Sequence, residues 1–295
     1  MTDWTAVVVL HDSAPDLRVL LASIDRCLPR RPRVICVDSG SSDDGPEIAA
    51  DWGADLLVLD ANPGFGAANN AGVARVTTDV AVLLNPDVEL RDDGLERLAA
   101  AAAARDALVA PRLLNADGSV QRSAHPRPGT VEALLPAAVH PRVLPRTLRE
   151  RADPWRADAT RAVGWAIAAA LAARADTLRA LGPFDPSAFL FYEDLDLCLR
   201  ARARGVPTIL DPSVALVHRG GHSTDTHFGG EPLGLLARRR RAVIAADLGP
   251  RALRLDDAAQ ALTFATRALV KGPRRGRRER AQLHALRRAR RSEQA

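Results

Sequence analysis

Arg33-Val-Ile-Cys-Val-Asp38 is a short apolar run that ends in a carboxylate, and Ser39-Gly-Ser-Ser-Asp-Asp-Gly45 follows it directly. An apolar run of this length, bounded by Ser, Gly and Asp, is typical of a buried strand that opens into a loop. Upstream, Thr5–Leu10 has the same character and Ala14–Cys27 is expected to be a helix. Strand, helix and strand in this order predict the start of an α/β fold.

The same alternation continues after the loop. The predicted strands are Asp55–Asp60, Asp79–Asp87 and Ala107–Leu113, and the predicted helices end at Trp52, begin in the Asn62–Gly72 turn and span Asp92–Ala104. This spacing predicts a doubly wound, mostly parallel central sheet flanked by helices. Because ligands bind at the carboxyl ends of the strands in such sheets, we expect Asp38, the Asn62–Gly72 turn and Asp87 to share a cleft.

The second half of the chain is less regular. Residues 123–160 are rich in Pro and Arg, which predicts a loop with a short helix near Val131–Val139. The remaining predicted elements are a buried strand over Ala162–Ala173, a helix over Asp176–Leu181, strands over Val206–Leu210 and Val214–His218, and C-terminal helices over Glu231–Leu248 and Asp256–Lys271.

The composition limits the class of protein. In the 295 residues, the longest uncharged apolar run, Ala162–Ala173, is shorter than the roughly 20 residues that a membrane-spanning helix needs. No signal peptide is predicted, because the first residues lack a basic segment followed by an apolar one. Cys27, Cys36 and Cys198 have no metal-binding or redox spacing, so we expect buried free thiols in a reducing cytoplasm.

The positive charge is concentrated at the C-terminus. Ten Lys/Arg and two Asp/Glu between Lys271 and Ala295 give +8, which leaves −3 for the first 270 residues of a chain whose net charge is +5. A basic segment of this kind is typical of contact with nucleic acid or with an anionic membrane surface, and also of a solvated end without a function of its own. The acidic body and the lack of aromatic residues among the basic ones argue against nucleic-acid binding.

Phe189-Leu-Phe-Tyr-Glu-Asp-Leu-Asp-Leu-Cys-Leu-Arg200 combines aromatic residues, three carboxylates and an amphipathic helix that is predicted to run to Gly205. Asp194 is expected at the N-cap, followed by apolar residues on one face of the helix. A carboxylate beside an aromatic wall suits a general base, although a plain capping residue with an acidic first turn fits the same pattern.

Several motifs then occur in a defined order along the chain. They are Asp38-Ser-Gly-Ser-Ser-Asp43, Asn62-Pro-Gly-Phe-Gly-Ala-Ala-Asn-Asn-Ala-Gly72, Leu83-Leu-Asn-Pro-Asp87, Gly182-Pro-Phe-Asp185, Tyr192-Glu-Asp-Leu-Asp-Leu-Cys198 and His218-Arg-Gly-Gly221. Over residues 5–225 this series resembles the family 2 inverting glycosyltransferases of GT-A fold, in their rhamnosyltransferase-like branch. The resemblance implies a nucleotide-sugar-binding and catalytic domain at 1–225, a helical extension at 226–271 and a basic tail at 272–295, disordered or associated with a membrane surface.

The resemblance also implies a site for a nucleoside-diphosphate sugar. Asp38 matches the carboxylate that accepts a hydrogen bond from the pyrimidine N–H, and the Asn62–Gly72 turn allows close approach of the backbone to phosphate at a helix start. The expected donor-site residues are His11, Asp12, Asp38, Ser39, Gly64, Phe65, Asn69, Asn85, Asp87 and Trp165. Gly64-Phe-Gly-Ala-Ala-Asn69 is close to a dinucleotide fingerprint, but it follows the third strand and ends in Asn, so a nicotinamide enzyme is rejected.

Asn85-Pro86-Asp87 stands where the family usually has Asp-x-Asp. By resemblance, Asp87 is a ligand of Mg²⁺ or Mn²⁺, and His218 is a second ligand, with His222 as the competing choice. The same resemblance makes Asp194 the general base for a one-step, inverting transfer, with Glu193 orienting it or binding the acceptor.

The expected donor is a dTDP- or UDP-sugar, with dTDP-rhamnose first. The expected acceptor is a saccharide or a polyprenyl-diphosphate-linked saccharide of the cell envelope, and the basic tail would hold the enzyme at the inner face of the plasma membrane. Trp165 departs from the small residues usual at its position and is expected to reshape the pocket. The alternatives are transfer to a small-molecule natural product and an inactive nucleotide-sugar-binding protein. A nucleotidyltransferase is disfavoured because no Gly-rich basic loop follows the first strand.

Overall fold

The computed structural model describes residues 2–139, 143–186, 188–220 and 231–292. The described chain forms two compact units. The first, the N-terminal unit, contains the residues up to Ala124 and those from Ala157 to Gly220, and the second, the C-terminal unit, contains His125–Arg156 and the residues from Glu231 onward. The Pro/Arg-rich segment, which the sequence placed within 1–225, therefore groups with the C-terminal helices.

The described residues of the N-terminal unit form one large mixed sheet, and Ala124–His125 pairs with Trp165–Ala166 in a separate two-stranded sheet. Its strands are β1 (Trp4–Leu10), β2 (Arg33–Asp38), β3 (Asp55–Val58), β4 (Val80–Leu84), β5 (Val88–Glu89), β6 (Leu108–Leu114), β7 (Ala124–His125, at the unit boundary), β8 (Arg161–Val163), β9 (Trp165–Ala166), β10 (Ala170–Arg174) and β11 (Thr208–His218). Its helices are α1 (Ala14–Cys27), α2 (Gly45–Trp52), α3 (Phe65–Ala74), α4 (Gly94–Ala103), α7 (Ala175–Leu181) and α8 (Glu193–Ala203).

The strand order is β3-β2-β1-β4-β10-β6-β11-β5, and β8 also pairs with β11. The pairs β3–β2, β2–β1, β1–β4 and β6–β11 are parallel, whereas β10 runs antiparallel to both neighbours. Every residue of β1 and of β4 is buried, as expected for strands covered by helices on both faces. The predicted doubly wound, mostly parallel sheet is confirmed.

Three predicted strands, Ala162–Ala173, Val206–Leu210 and Val214–His218, are wrong in their boundaries. Ala162–Ala173 is divided into β8, β9 and β10, because the chain leaves the β11 edge after Val163 and re-enters the sheet between β4 and β6. Conversely, the two predicted strands after Val206 form the single strand β11. Its register shifts between Asp211 and Ala215, where Asp211 Oδ1 accepts hydrogen bonds from the N–H and the hydroxyl of Ser213.

The cysteines are unpaired. Cys36 and Cys198 are buried, and burial raises the pKa of each to about 12, so both stay protonated at neutral pH. Cys27 is only half-buried.

The C-terminal unit is helical. It contains α5 (Val131–Ala138), α6 (Arg146–Ala152), a 3₁₀ turn (Pro154–Arg156), α9 (Leu233–Arg275) and α10 (Arg277–Ser292). α9 is interrupted at Gly249 (φ 79°) and Gly272 (φ 73°), each followed by proline. Arg277–Ser292, which lies in the segment predicted to be a basic tail that is disordered or associated with a membrane surface, forms α10 and buries Ala285, Leu286 and Ala289 on one face. No helix among the described residues is both long and apolar enough to cross a membrane.

Candidate active site

The carboxyl end of β2 is tied to the loop that follows β3. Asp38 is buried, and its Oδ1 accepts a hydrogen bond from the N–H of Ser41 at 3.1 Å. The hydroxyl of Ser39 donates to Asn62 Oδ1 (3.0 Å), which also accepts the N–H of Gly64 (2.9 Å). Of the predicted nucleotide residues, Ser39 and Gly64 are therefore joined through Asn62, and Asp38 directly precedes Ser39, as expected for neighbouring strand ends.

His11 and Asp12 follow β1 at the same edge. His11 Nδ1 donates to the carbonyl of Ser39 (3.0 Å). Asp12 has φ 47°, and its Oδ1 accepts the N–H (2.7 Å) and the hydroxyl (2.9 Å) of Ser42. The Ser42 N–H is the main reason that the pKa of Asp12 lies below its usual value. These contacts order the loop after β2 around the predicted donor site.

The loop before α3 lies against the segment before α8. Phe65 N–H donates to the carbonyl of Phe189 (3.1 Å), and a Cβ on Gly64 would lie 2.3 Å from that carbonyl oxygen. Only glycine therefore fits at this position, where φ is 94°. The Phe65 ring also meets the Phe184 ring edge-on at 6.0 Å.

The side chains of Asn69 and Asn70 make different hydrogen bonds. Asn69 is 1% exposed and donates from Nδ2 to the carbonyl of Phe65 within its own helix, so the structure gives its side chain a role in helix packing, and its predicted contact with nucleotide stays a prediction. Asn70, which the sequence analysis did not assign to the site, donates to the Phe184 carbonyl (2.8 Å) and accepts its N–H (3.0 Å).

The end of β4 and the end of β11 bring together the predicted metal ligands. Asp87 Oδ1 is buried, lies 3.4 Å from His218 Nε2 and has no hydrogen-bond partner among the described residues, while Oδ2 accepts the Gly220 N–H (2.9 Å). Burial alone would raise the pKa of Asp87, but the imidazole of His218 and the Gly220 N–H outweigh it and leave the pKa below its usual value. Asn85 Oδ1 is likewise buried without a partner in the described chain.

A chain of amides fixes the His218 ring. Its Nδ1 donates to Gln121 Oε1 (2.8 Å), whose amino group donates to Asn115 Oδ1 (3.2 Å). With Nδ1 held by Gln121, the other ring nitrogen, Nε2, faces Asp87 Oδ1. Carboxylate and imidazole suit Mn²⁺ or Mg²⁺ in a site where substrate phosphates supply further ligands, so these residues fit a divalent cation. The described residues hold no group of three or more His, Cys, Asp or Glu side chains arranged for a metal, and His222 lies outside them.

Asp194 is not the N-cap. Phe191 (φ 75°) and Tyr192 (φ 63°) both have left-handed backbone conformations, so α8 begins at Glu193 and Asp194 is the second helical residue. Its Oδ1 accepts the N–H of Leu195 (2.7 Å). Desolvation raises the pKa of Asp194 to about 6 although backbone N–H groups oppose the shift. The side chain is half-buried, as a base that must reach a substrate requires.

Two aromatic rings pack together at the start of α8. The rings of Trp165 and Tyr192 are 6.2 Å apart and inclined at 58°, and Trp165 is 6% exposed. Glu193 is also buried, at 7% exposure. The predicted contacts of Trp165 with the donor and of Glu193 with the base stay predictions.

One backbone turn, at Ala168 and Ala169, contacts both the end of β4, which precedes the predicted metal ligand Asp87, and the predicted base Asp194. The carbonyl of Ala169 accepts the N–H of Asn85 (2.8 Å), and the N–H of Ala168 is near enough to the Asp194 carboxylate to oppose the rise of its pKa. The same backbone turn therefore holds the end of β4 and the start of α8. Arg200 supports α8 from the other side by donating to Asp196 (2.6 and 2.9 Å) and to the carbonyl of Pro183 (3.0 Å). From the sequence alone, only the i,i+4 ion pair of Arg200 with Asp196 could have been predicted.

Comparison with known proteins places this site in a family. Residues 5–160 match the model for glycosyl transferase family 2, more than half of the chain. The chain belongs to that family. It is also 30% identical over 264 residues to the N-acetylglucosaminyl-diphospho-decaprenol L-rhamnosyltransferase of Mycobacterium tuberculosis, covering 82% of the chain and 83% of the relative. The pre-mycofactocin glycosyltransferase of the same organism is 30% identical over 73% of the chain and 42% of the relative's length.

Solved structures agree on the GT-A fold of this glycosyltransferase. The mannosyltransferase of Pyrobaculum calidifontis in complex with GDP-mannose and Mn²⁺ superposes with a TM-score of 0.62 at 16% identity, over 98% of the chain and 86% of the neighbour. Glucosyl-3-phosphoglycerate synthase of Mycobacterium tuberculosis, in complex with Mn²⁺, UDP and glucosyl-3-phosphoglycerate, gives 0.55 at 16% identity, over 84% and 81%.

Proposed function

We propose that this glycosyltransferase moves L-rhamnose from dTDP-rhamnose to a hydroxyl of a polyprenyl-diphosphate-linked saccharide in cell-envelope synthesis, with inversion at the anomeric carbon. The observation that carries the chemistry is the half-buried Asp194, whose raised pKa of about 6 suits a base that takes a proton near neutral pH. The choice of sugar and acceptor rests on the 30% identity to the decaprenol-linked rhamnosyltransferase.

In the proposed step, Asp194 takes the proton of the acceptor hydroxyl. The oxygen forms a bond to the anomeric carbon from the face opposite the nucleotide, and the bond from that carbon to the diphosphate oxygen breaks, so the leaving dTDP keeps the electron pair. A divalent cation bound by Asp87 and His218 would stabilise the negative charge on the departing diphosphate. Asp38 would receive the N–H of the thymine ring, and Trp165 and Tyr192 would face the sugars.

The test is a transfer assay with dTDP-L-rhamnose, Mn²⁺ and a short-chain polyprenyl-diphospho-N-acetylglucosamine. We expect product of inverted anomeric configuration by NMR and, for Asp194→Asn, no transfer but an unchanged thermal shift with dTDP, because a ligand that binds only the native state raises its apparent stability. Asp87→Ala should lose the Mn²⁺-dependent part of that shift. An Asp194→Asn variant with wild-type turnover would exclude Asp194 as the base.

A second candidate is transfer to a small-molecule natural product, which the similarity to the pre-mycofactocin glycosyltransferase favours. The same assay separates the two, because this candidate predicts transfer to a soluble acceptor and none to the polyprenyl compound. An inactive nucleotide-sugar-binding protein is disfavoured by the intact pair of Asp87 and Asp194.

A further inference from the structure

The most exposed large apolar side chains of the described residues lie next to each other at the end of a helix. Leu269 is 81% and Val270 is 88% exposed, directly before the break of α9 at Gly272. Leu255 and Leu262, each 45% exposed, precede Leu269 at seven-residue intervals and so lie on the same helix face. This apolar surface is left open although α9 packs against other helices of its unit.

The chain reverses direction immediately after these residues. Lys271 pairs with Glu279, and Arg290 lies 3.6 Å from Asp257, so α10 runs antiparallel to the preceding stretch of α9. Residues 269–277 thus form the end of a helical hairpin, which we call the hairpin tip.

The exposed charge of the hairpin tip is entirely positive. Arg274, Arg275 and Arg277 are exposed and make no ion pair with any described residue. Between Gly249 and Ser292 there are thirteen Lys/Arg and three Asp/Glu. The three acidic residues, Asp256, Asp257 and Glu279, are each at most 5% exposed and are paired with Arg or Lys.

We propose that the hairpin tip docks on an anionic phospholipid surface, with Leu269 and Val270 entering the headgroup boundary and Arg274, Arg275 and Arg277 binding lipid phosphates. This inference rests on the proposed function, because a polyprenyl-linked acceptor lies in a membrane, where the enzyme has to reach it. Nucleic acid would use the arginines, but residues 269–277 contain no aromatic side chain for stacking, and Leu269 and Val270 would contribute nothing. If two copies of the chain docked on each other through the hairpin tip, the positive charges of the two tips would repel each other.

The experiment is flotation of the full-length protein with vesicles of phosphatidylglycerol or of phosphatidylcholine, without sugar donor. We expect binding to phosphatidylglycerol alone, weakened by salt, and about a tenfold loss of partitioning for L269S/V270S and for R274Q/R275Q. The matched controls are Val58→Ser, 59% exposed in the N-terminal unit, and R91Q/R105Q, which removes two exposed charges there; both should bind as wild type.

Three outcomes overturn the proposal. The first is that the wild type does not bind vesicles, and the second is that L269S/V270S binds them as well as the wild type. The third is that the wild type forms a concentration-dependent dimer or binds DNA, and that the tip variants lose this association instead of vesicle binding. Melting temperatures equal to wild type show that the variants fold, as expected for side chains that are more than 80% exposed. Because no donor is present, failure here leaves the transfer assay untouched, and a wild type that binds vesicles without transferring rhamnose refutes only the proposed function.

Discussion

The side-chain amide of Asn70 makes two hydrogen bonds to the backbone of Phe184, one to its carbonyl (2.8 Å) and one from its N–H (3.0 Å). The pair joins α3, which follows the predicted phosphate-binding turn, to the chain that leads into α8. It connects residues 114 positions apart and is partly buried.

We expect Asn70→Ala to lower the free energy of unfolding by roughly 1–3 kcal/mol, because the Phe184 N–H and carbonyl lose their partner in a partly buried position. Transfer should fall further than stability explains, since the segment before Asp194 is then less well held. Chemical denaturation and kcat measure the two effects. Asn70→Asp keeps the acceptor of the Phe184 N–H but sets a carboxylate oxygen against the Phe184 carbonyl, so it should be no more stable than Asn70→Ala; equal kcat for both variants and wild type would contradict the argument.

Gly64→Ala should be strongly destabilising because its Cβ would lie 2.3 Å from the Phe189 carbonyl oxygen. Gly249→Ala is the control: Gly249 has a similar backbone conformation (φ 79°, ψ 178°, against 94° and 163°), but no atom lies within 4 Å of the added Cβ. Backbone strain alone costs on the order of 1–3 kcal/mol, so a larger loss for Gly64→Ala measures the clash. Equal melting temperatures for Gly64→Ala and Gly249→Ala would show that the added Cβ at position 64 causes no clash.

The raised pKa of Asp194 predicts opposite effects on activity and stability. Its folded pKa of about 6 exceeds the ordinary 3.8, so the stability that the protonated form contributes is complete below pH 3.8 and is lost as the pH rises through 6. Above pH 6, Asp194→Asn should therefore have a higher free energy of unfolding than wild type, by on the order of 3 kcal/mol, and a correspondingly higher melting temperature. Exposed Asp51→Asn should show no such difference.

The same pKa predicts the pH dependence of transfer. Since the base must be ionised, kcat/KM for the wild type should fall about tenfold per pH unit below pH 6. A profile that is flat down to pH 5 would remove Asp194 from the proton transfer.

Gln121 orients the proposed metal ligand His218 and should affect cation affinity without touching the nucleotide. Loss of such an outer partner typically weakens metal binding about 10–100-fold, and we expect Gln121→Ala to raise the Kd for Mn²⁺ in the presence of dTDP by that factor, measured by titration calorimetry. Ser119→Ala is the graded comparison, because the Ser119 hydroxyl bonds Asn115 at the far end of this chain of amides and does not contact His218, so it should raise the Kd less than Gln121→Ala. Unchanged Mn²⁺ affinity would show that the ring is held by other contacts.

Local signals in the sequence were sufficient for β1, β2 and α1, whose observed bounds match the predicted ones within one residue, because each is a short periodic segment with clear punctuation. They failed at Ala162–Ala173, where an unbroken apolar run conceals three strands that pair with different neighbours. Asn70 and Gln121 were missed for a related reason. Their partners lie 114 and 97 positions away, and no local pattern records such pairs.

Asp194 shows a third kind of limit. An acidic residue before an apolar run predicts a cap, but two consecutive left-handed residues, Phe191 and Tyr192, start the helix one residue before Asp194. Neither is a residue type that predicts such a conformation, and the tertiary contacts around Phe189 and Trp165 hold it in place.

The turn at Ala168 and Ala169 reaches Asp194 and Asn85 through main-chain groups alone. Exchange among small side chains there leaves both main-chain contacts in place, whereas inserting or deleting a single residue would displace Asn85 from Ala169 or Asp194 from Ala168. The length of this turn is therefore more constrained in evolution than the identity of its residues. Alignments of relatives should show no insertion or deletion at the turn, even where the residue types vary.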